Sequence, residues 1–139
     1  MASKKTALEA TYIKFIEFLM LSKHQVFDQA SKYGLTGMQA ITVCFLDQPK
    51  PMNSFGKLFS CDPSNVTGII SGLESKGLIR RFENPNDHRI KMVQLNSKGQ
   101  NVRSKLLGKL CGLDSALLSK LSAPEMGQFS KLINKITSD

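Results

Sequence analysis

The stretch from Asp62 to Gly99 constrains the fold most, because a short helix is followed there by two strands. Asp62 is a favourable N-cap residue, and Pro63 falls at the first helical position, where its missing N–H costs nothing. Gly77 with Leu78 is typical of a helix C-terminus. Apolar residues recur between these limits at helical spacing and predict one buried stripe: Val66, Ile69, Ile70 and Leu73.

The opposite face of this predicted helix is smooth and uncharged. It presents hydroxyls, one amide and glycines: Ser64, Asn65, Thr67, Gly68, Ser71, Gly72 and Ser75. Serine and glycine are poor helix formers, so their concentration on an exposed face needs a reason. Such a face fits the major groove of a duplex, where hydroxyl and amide groups contact base edges and phosphates. An ordinary solvated helix face is the alternative.

The next segment predicts a hairpin, with strands at 78–83 and 90–95 joined by a turn at 84–89. The Asp87 carboxylate is close enough in sequence to hold the Arg89 guanidinium extended at the tip. A charged arm of this kind suits the narrow, negative minor groove of DNA. A solvated hairpin with a weak surface ion pair is the alternative. A helix followed by such a hairpin is the order of a winged helix-turn-helix.

Four segments together resemble the MarR family of bacterial winged-helix regulators: 62–68, 73–79, 86–89 and 35–39. The resemblance extends over nearly the whole chain. It implies a homodimer whose recognition helices lie in successive major grooves of double-stranded DNA, while arginines of the wings probe the flanking minor grooves. Carried over by position, the implied DNA-binding residues are Ser64, Asn65, Thr67, Gly68, Ser71, Asp87, His88 and Arg89.

The chain departs from the family pattern at two positions. Gly72 stands where many members carry an arginine, and His88 stands where a second basic wing residue is common. Both departures remove cationic contacts, so affinity or sequence preference is expected to differ. The resemblance also implies a repressor relieved by a small-molecule effector, with a ligand pocket between the dimer helices and the winged module. The residues identify neither the effector nor the pocket.

Outside this module the periodicity predicts helices throughout, at 6–32, 36–47, 53–60 and 97–121, and a last helix after Ser122 that is lined by apolar residues from Met126 to Ile136. Thr36 with Gln39, and Ser122 with Glu125, form capping-box patterns, and Asn96 is a further candidate cap. The fold class is therefore mainly α with a small β part (α+β). We expect one domain over 1–139, in which 50–96 form the winged part and 6–47 and 97–137 form a helical frame.

The terminal helices carry more apolar surface than one small core needs, which predicts a two-fold homodimer. A monomer with a larger core is the alternative. The net charge is +8, and residues 50–99 hold eight Lys and Arg against four acidic residues. A basic module of this kind is typical of nucleic-acid binding, although charge alone equally permits RNA or an acidic membrane surface.

Other classes of function find less support in the residues. His24 and His88 lie far apart, and Cys44, Cys61 and Cys111 lack metal-ligand spacing, so we expect no enzyme, metal or cofactor. No export signal and no apolar run of the ~20 residues needed for a membrane span are present, which predicts a cytoplasmic protein with no membrane partner.

Two further hypotheses stay open. The small-residue face of the winged helix could dock a protein instead of a groove. The second hypothesis is a thiol-based redox-sensing regulator. Cys61 precedes the recognition helix, and a helix N-terminus can lower the pKa of a thiol. Cys61 with Val66 also fits a hydrophobic staple, in which a buried cysteine serves as a small apolar group.

Overall fold

The computed structural model describes residues 3–111 and 115–139. The chain divides into two compact units, one formed by Met1–Gln25 with Gly108–Asp139 and one by Val26–Leu107. The helices are α1 (Lys4–Ser31), α2 (Gly37–Phe45), α3 (Ser54–Phe59), α4 (Pro63–Ser75), α5 (Ser97–Cys111) and α6 (Ala123–Thr137), with a 3₁₀ turn at Leu118–Lys120. The strands are β1 (Lys50–Pro51), β2 (Ile79–Asn84) and β3 (Asp87–Leu95).

The unit Val26–Leu107 is a winged helix-turn-helix, as the order of elements predicts. Its antiparallel sheet has the order β1-β3-β2, with Ile79 opposite Leu95 and Phe82 opposite Met92. Apolar side chains of the helices and the sheet form its core: Ala30, Leu35, Ala40, Val43, Leu46, Phe55, Val66, Ile70, Leu73, Leu78, Ile79, Val93, Leu95 and Leu106. Three of the four residues of the predicted α4 stripe are therefore buried; Ile69 is half-buried.

The helix caps follow the local sequence closely. The Thr36–Gln39 capping box is present, with the Gln39 N–H 3.1 Å from Thr36 Oγ1 and the Thr36 N–H 3.0 Å from Gln39 Oε1. The second box, at Ser122 and Glu125, is also present. Asn96 Oδ1 accepts from the Gly99 N–H at 2.9 Å, so it caps α5 as predicted. Asp62 is the N-cap residue of α4, but its side chain makes no capping hydrogen bond, contrary to the expectation.

The hairpin turn is shorter than predicted. Only residues 85 and 86 lie between β2 and β3, and Asn84 pairs with Asp87. Asn84 Oδ1 accepts from the Asn86 N–H at 2.8 Å, an Asx-type turn that closes the hairpin early. Residues 87–89 therefore belong to β3 instead of the turn.

Strand β1 was missed in the sequence. Lys50 and Pro51, which read as a chain break, pair with Val93 and Met92 of β3. A two-residue strand has no periodicity to detect, and proline is tolerated in it because β1 lies at the edge of the sheet.

The prediction of one continuous helix over 97–121 is wrong. Helix α5 ends at Cys111, and Ser115 lies outside any helix. Ser115 Oγ accepts from the Leu118 N–H at 3.2 Å and lies 3.5 Å from Gln25 Nε2. A buried serine that bonds to backbone in this way favours a turn over a helix, in spite of the leucine periodicity around it. Gly108 and Gly112 in the middle of this predicted helix are candidate positions for a kink or a close helix crossing. Gly108 lies within α5, and Gly112 lies outside the described residues.

Few side chains are buried among the described residues of the unit formed by the chain termini. Phe18 of α1 meets Phe129 of α6 edge to face, with ring centroids 5.7 Å apart. Among the residues that the structure describes, ten of the thirteen exposed large apolar side chains belong to this unit: Leu8, Tyr12, Ile13, Phe15, Ile16, Leu19, Met20, Leu21, Leu132 and Ile136. No helix in residues 3–111 or 115–139 is both long and apolar enough to cross a bilayer.

Candidate nucleic-acid interface

The outward face of α4 is open and uncharged, as predicted. Ser64, Asn65, Thr67 and Gly68 are exposed. Ser64, Asn65 and Gly68 also line a groove, whose other lining residues are Thr36, Met38, Gln39, Phe59, Cys61 and Ile69. A side chain added at Gly68 would meet no atom within 4 Å. The face therefore offers an unobstructed approach to the backbone of α4.

Some polar groups of this face already make hydrogen bonds within the protein, and others do not. Thr67 Oγ1 donates to the Pro63 carbonyl at 3.0 Å, one turn back along α4. Ser71 is half-buried, and its Oγ accepts from Arg81 Nη2 at 2.6 Å. Within the part of the chain that the structure describes, the side chains of Ser64 and Asn65 make no hydrogen bond. Together with the hydroxyl of the exposed Ser75, these are the polar groups of the face that are free to contact a ligand.

Arg81 joins the wing to the recognition helix, a role that sequence reasoning missed. In addition to Ser71, its guanidinium pairs with Glu74, with Nε 3.5 Å from Oε1. The period-two alternation of β2 was an available signal, because it places Arg81 on the same face as the buried Ile79. An arginine on the inner face of a strand indicates a partner on the element packed against it.

Gly72 does not belong to the open face, contrary to the expectation. A Cβ at Gly72 would collide with the side-chain nitrogen of Gln39, which is buried. Gln39 Oε1 in turn accepts from Lys76 Nζ at 2.6 Å, and Lys76 also reaches the Gly34 carbonyl at 2.5 Å. Gln39, which belongs to the capping box of α2, is thus bonded to Lys76 at the C-terminal end of α4. This network positions α4 against α2, and a Cβ at 72 would displace the Gln39 amide from its place in it.

The tip of the wing has the geometry that the sequence predicts. Arg89 Nε lies 3.1 Å from Asp87 Oδ1, and Nη2 lies 3.2 Å from Oδ2, so the carboxylate holds the guanidinium in a two-point fork. The Arg89 N–H also donates to Asp87 Oδ1 at 3.1 Å. The Arg89 side chain nevertheless stays 91% exposed. A cation is therefore held in place while it remains available to an anionic partner.

A second group of charges surrounds Glu83 on the same hairpin. Glu83 Oε1 lies 2.9 Å from Lys91 Nζ, and Oε2 lies 3.2 Å from His88 Nδ1. Hydrogen bonding and charge from Lys91, and then hydrogen bonding from His88, lower the pKa of Glu83. His88 is exposed, so its imidazole lies on the surface of the wing beside Glu83.

The Arg89 side chain, and to a lesser degree its backbone N–H, lowers the pKa of the Asp87 carboxyl. A depressed folded-state pKa means that the fork is fully formed above the ordinary carboxyl pKa and is lost as the pH falls through the depressed value. We expect an NMR titration to place the pKa of Asp87 below that of a model peptide. Arg89→Ala should raise it toward the ordinary range, because alanine keeps only the backbone N–H, while the pKa of Glu83 stays low. An unchanged pKa of Asp87 in that variant would contradict the fork.

A cleft of about 330 Å³ separates the start of α4 from the wing. Its walls come from the turn before α3 and from α3, α4 and β3: Met52, Asn53, Gly56, Pro63, Val66, Thr67, Arg89, Ile90 and Lys91. This volume is at the lower end of the range for small-molecule sites. Cys61, the candidate redox residue, is half-buried in the neighbouring groove. Over residues 3–111 and 115–139 no three His, Cys, Asp or Glu side chains come together as metal ligands.

The fold and this interface define a winged helix-turn-helix protein. BldR from Sulfolobus solfataricus has the same fold, with a TM-score of 0.79 and 21% identity over 97% of both chains. A mutant of Escherichia coli MarR, solved in complex with operator DNA, matches with a TM-score of 0.70 and 21% identity over 99% of this chain and all of that one.

Sequence comparison places the chain within this class. Residues 47–91 match the model of the MarR family. The HTH-type transcriptional regulator YhbI of Bacillus subtilis is 25% identical over 87 residues, 63% of this chain. That match spans 56% of the length of YhbI. Over residues 47–91 the chain is therefore similar to the MarR family.

Proposed function

We propose that the protein is a sequence-specific regulator of transcription that binds double-stranded DNA as a homodimer. The observation that carries the proposal is the pairing of an uncharged, exposed α4 face with an Arg89 side chain held extended beside it. The first suits base edges in a major groove, and the second suits the negative potential of a minor groove. The complex of Escherichia coli MarR with operator DNA supports the proposal, because it shows a protein of this fold on a duplex.

The exposed apolar side chains of the terminal unit support the homodimer. Leu8, Tyr12, Ile13 and Phe15 line an apolar groove together with Ile136. Exposed apolar surface of this extent favours a partner, and a second copy related by a two-fold axis is the commonest arrangement. A two-fold dimer predicts a palindromic operator with half-sites about one helical turn, or ~34 Å, apart.

The test is retardation of genomic DNA fragments by the purified protein in the presence of excess nonspecific competitor. We expect a small set of fragments to be retained, and the dissociation constant to rise steeply with salt because the chain carries a net charge of +8. Loss of all retention in competitor would favour the alternative, a winged helix that docks a protein.

Arg89→Ala should weaken binding to a retained fragment by about 10-fold, because a charged contact to DNA is lost from each wing. The dependence of log K on log salt should become shallower by about one unit per lost phosphate contact. Lys131→Ala is the matched control, since it removes an exposed cation of α6 and should leave binding unchanged. Titrations at several salt concentrations that give the same constants for wild type and Arg89→Ala would remove the wing from the mechanism.

The proposal includes repression that a small molecule relieves, in the cytoplasm where DNA and RNA polymerase meet. The cleft beside α4 supports it, because an occupant would touch Thr67 and Arg89, both on the proposed DNA side. A ligand that releases DNA should change the separation of the two recognition helices, measured between spin labels in the dimer. Release without any change in separation would contradict this rigid-body switch.

Redox control through Cys61 is the second candidate, and its position in the α4 groove favours it. Oxidation would add bulk beside Asn65 and the DNA. Cys61→Ser is then expected to bind DNA normally but to resist release by peroxide. Equal release of Cys61→Ser and wild type would exclude this mechanism.

A further inference from the structure

We propose that Asn65 reads an adenine in each half-site and is the principal specificity-determining residue of α4. The inference rests on the proposed function, because it assumes that the α4 face enters a major groove. It names the base that this face selects.

Elimination among the polar side chains of the face identifies Asn65. The Thr67 hydroxyl proton is given to the Pro63 carbonyl, and Ser71 is bonded to Arg81 at the junction with the wing. Ser64, Asn65 and Ser75 keep their polar groups free among the described residues, and Asn65 is the one amide of the three. A hydroxyl bonds to any of several base edges, whereas an amide presents a donor and an acceptor together. Asn65 is therefore the free group that can discriminate between bases.

The charge of α4 restricts which base is read. The helix Pro63–Ser75 contains no lysine or arginine, so it cannot supply the two-point cationic contact to O6 and N7 of guanine. The Asn65 amide matches adenine instead, since its carbonyl accepts from N6 and its NH₂ donates to N7. The Thr67 methyl group is the natural contact for the methyl group of a neighbouring thymine, because the Thr67 hydroxyl is engaged within the helix.

The short reach of asparagine requires a close approach of the helix to the bases. Gly68, three residues after Asn65, makes such an approach possible because nothing lies within 4 Å of the position of a Cβ there. A large side chain at 68 would hold the helix away from the duplex. Asn65 and Gly68 therefore act together, one as the reading group and the other as the space that lets it reach.

The experiment is selection of bound duplexes from a randomised pool by the full-length protein, performed in parallel with wild type, Asn65→Ala and Ser64→Ala. We expect wild type to recover a two-fold site with a fixed adenine in each half. Asn65→Ala should recover the same site with that position degenerate and every other position kept. Ser64→Ala removes the neighbouring free hydroxyl and should keep the adenine.

A second measurement uses the recovered site with 7-deazaadenine at the fixed position, which removes only the N7 acceptor. Wild type should lose about 5- to 150-fold in affinity, the range of one two-point base contact, and Asn65→Ala should lose almost nothing. If wild type enriches no site, the proposed function fails. If it enriches a site whose positions are all unchanged in Asn65→Ala, the DNA-binding function stands and the role of Asn65 is overturned.

Discussion

Ile136→Asp is expected to convert the protein to a monomer and to lower its affinity for an operator fragment by about 100-fold or more. Ile136 is 72% exposed at the end of α6 and lines the apolar groove with Leu8 and Tyr12. A carboxylate there would be buried without a partner in a dimer interface, but it costs little in the separate chain, where the side chain already meets water. The loss in affinity follows because two linked recognition helices bind far more tightly than one.

Sedimentation velocity and fragment retardation measure the two effects separately. Ser130→Asp, on the exposed part of α6, is the matched control for the added charge and should remain dimeric. Circular dichroism should show the same helix content for both variants. A dimeric Ile136→Asp protein with normal affinity would mean that this apolar face is not the interface.

Gly72→Ala is expected to cost about 1–3 kcal/mol of the free energy of unfolding relative to Gly68→Ala, a typical cost of overpacking. Both changes gain the same helix propensity, about 1 kcal/mol, so the difference between the variants isolates the contact with Gln39. At 68 the new methyl group enters open space, whereas at 72 it displaces the Gln39 amide. That displacement strains the bonds of Gln39 to Thr36 and Lys76.

The two glycine variants should also weaken DNA binding for different reasons. Gly68→Ala should fold more stably than wild type and still bind DNA less well, because the methyl group faces the duplex. Gly72→Ala should be about 0–2 kcal/mol less stable than wild type, because the gain in helix propensity offsets part of the overpacking, and it should also lose affinity. Chemical denaturation of wild type, Gly72→Ala, Gln39→Ala and the double variant Gln39→Ala/Gly72→Ala gives a double-mutant cycle. We expect the cycle to show strong coupling between positions 39 and 72. Equal stability of Gly68→Ala and Gly72→Ala would show that Gln39 moves freely and positions nothing.

Local chemistry explains where sequence reasoning succeeded. The capping boxes at Thr36 and Ser122 and the fork of Asp87 with Arg89 each join residues two or three positions apart. The apolar stripe of α4 has the same character, because helical periodicity alone brings its members to one face. Such features form between neighbouring residues wherever the chain is helical or turns, so they can be predicted from the sequence alone.

The amino-acid sequence by itself determined the winged helix-turn-helix order, most of the caps, the uncharged α4 face and the spacing of the wing pair. The tertiary structure decided which members of that face are free. In the folded chain Ser71 is bonded to Arg81 and Gly72 faces Gln39. Gln39 is bonded to Lys76, which lies 37 residues away in sequence. The tertiary structure also added β1 to the sheet and ended α5 before Ser115. These contacts join residues that are distant in sequence. Local rules leave several partners open to each residue, and the packing of the fold selects among them. No periodicity in the sequence encodes that selection.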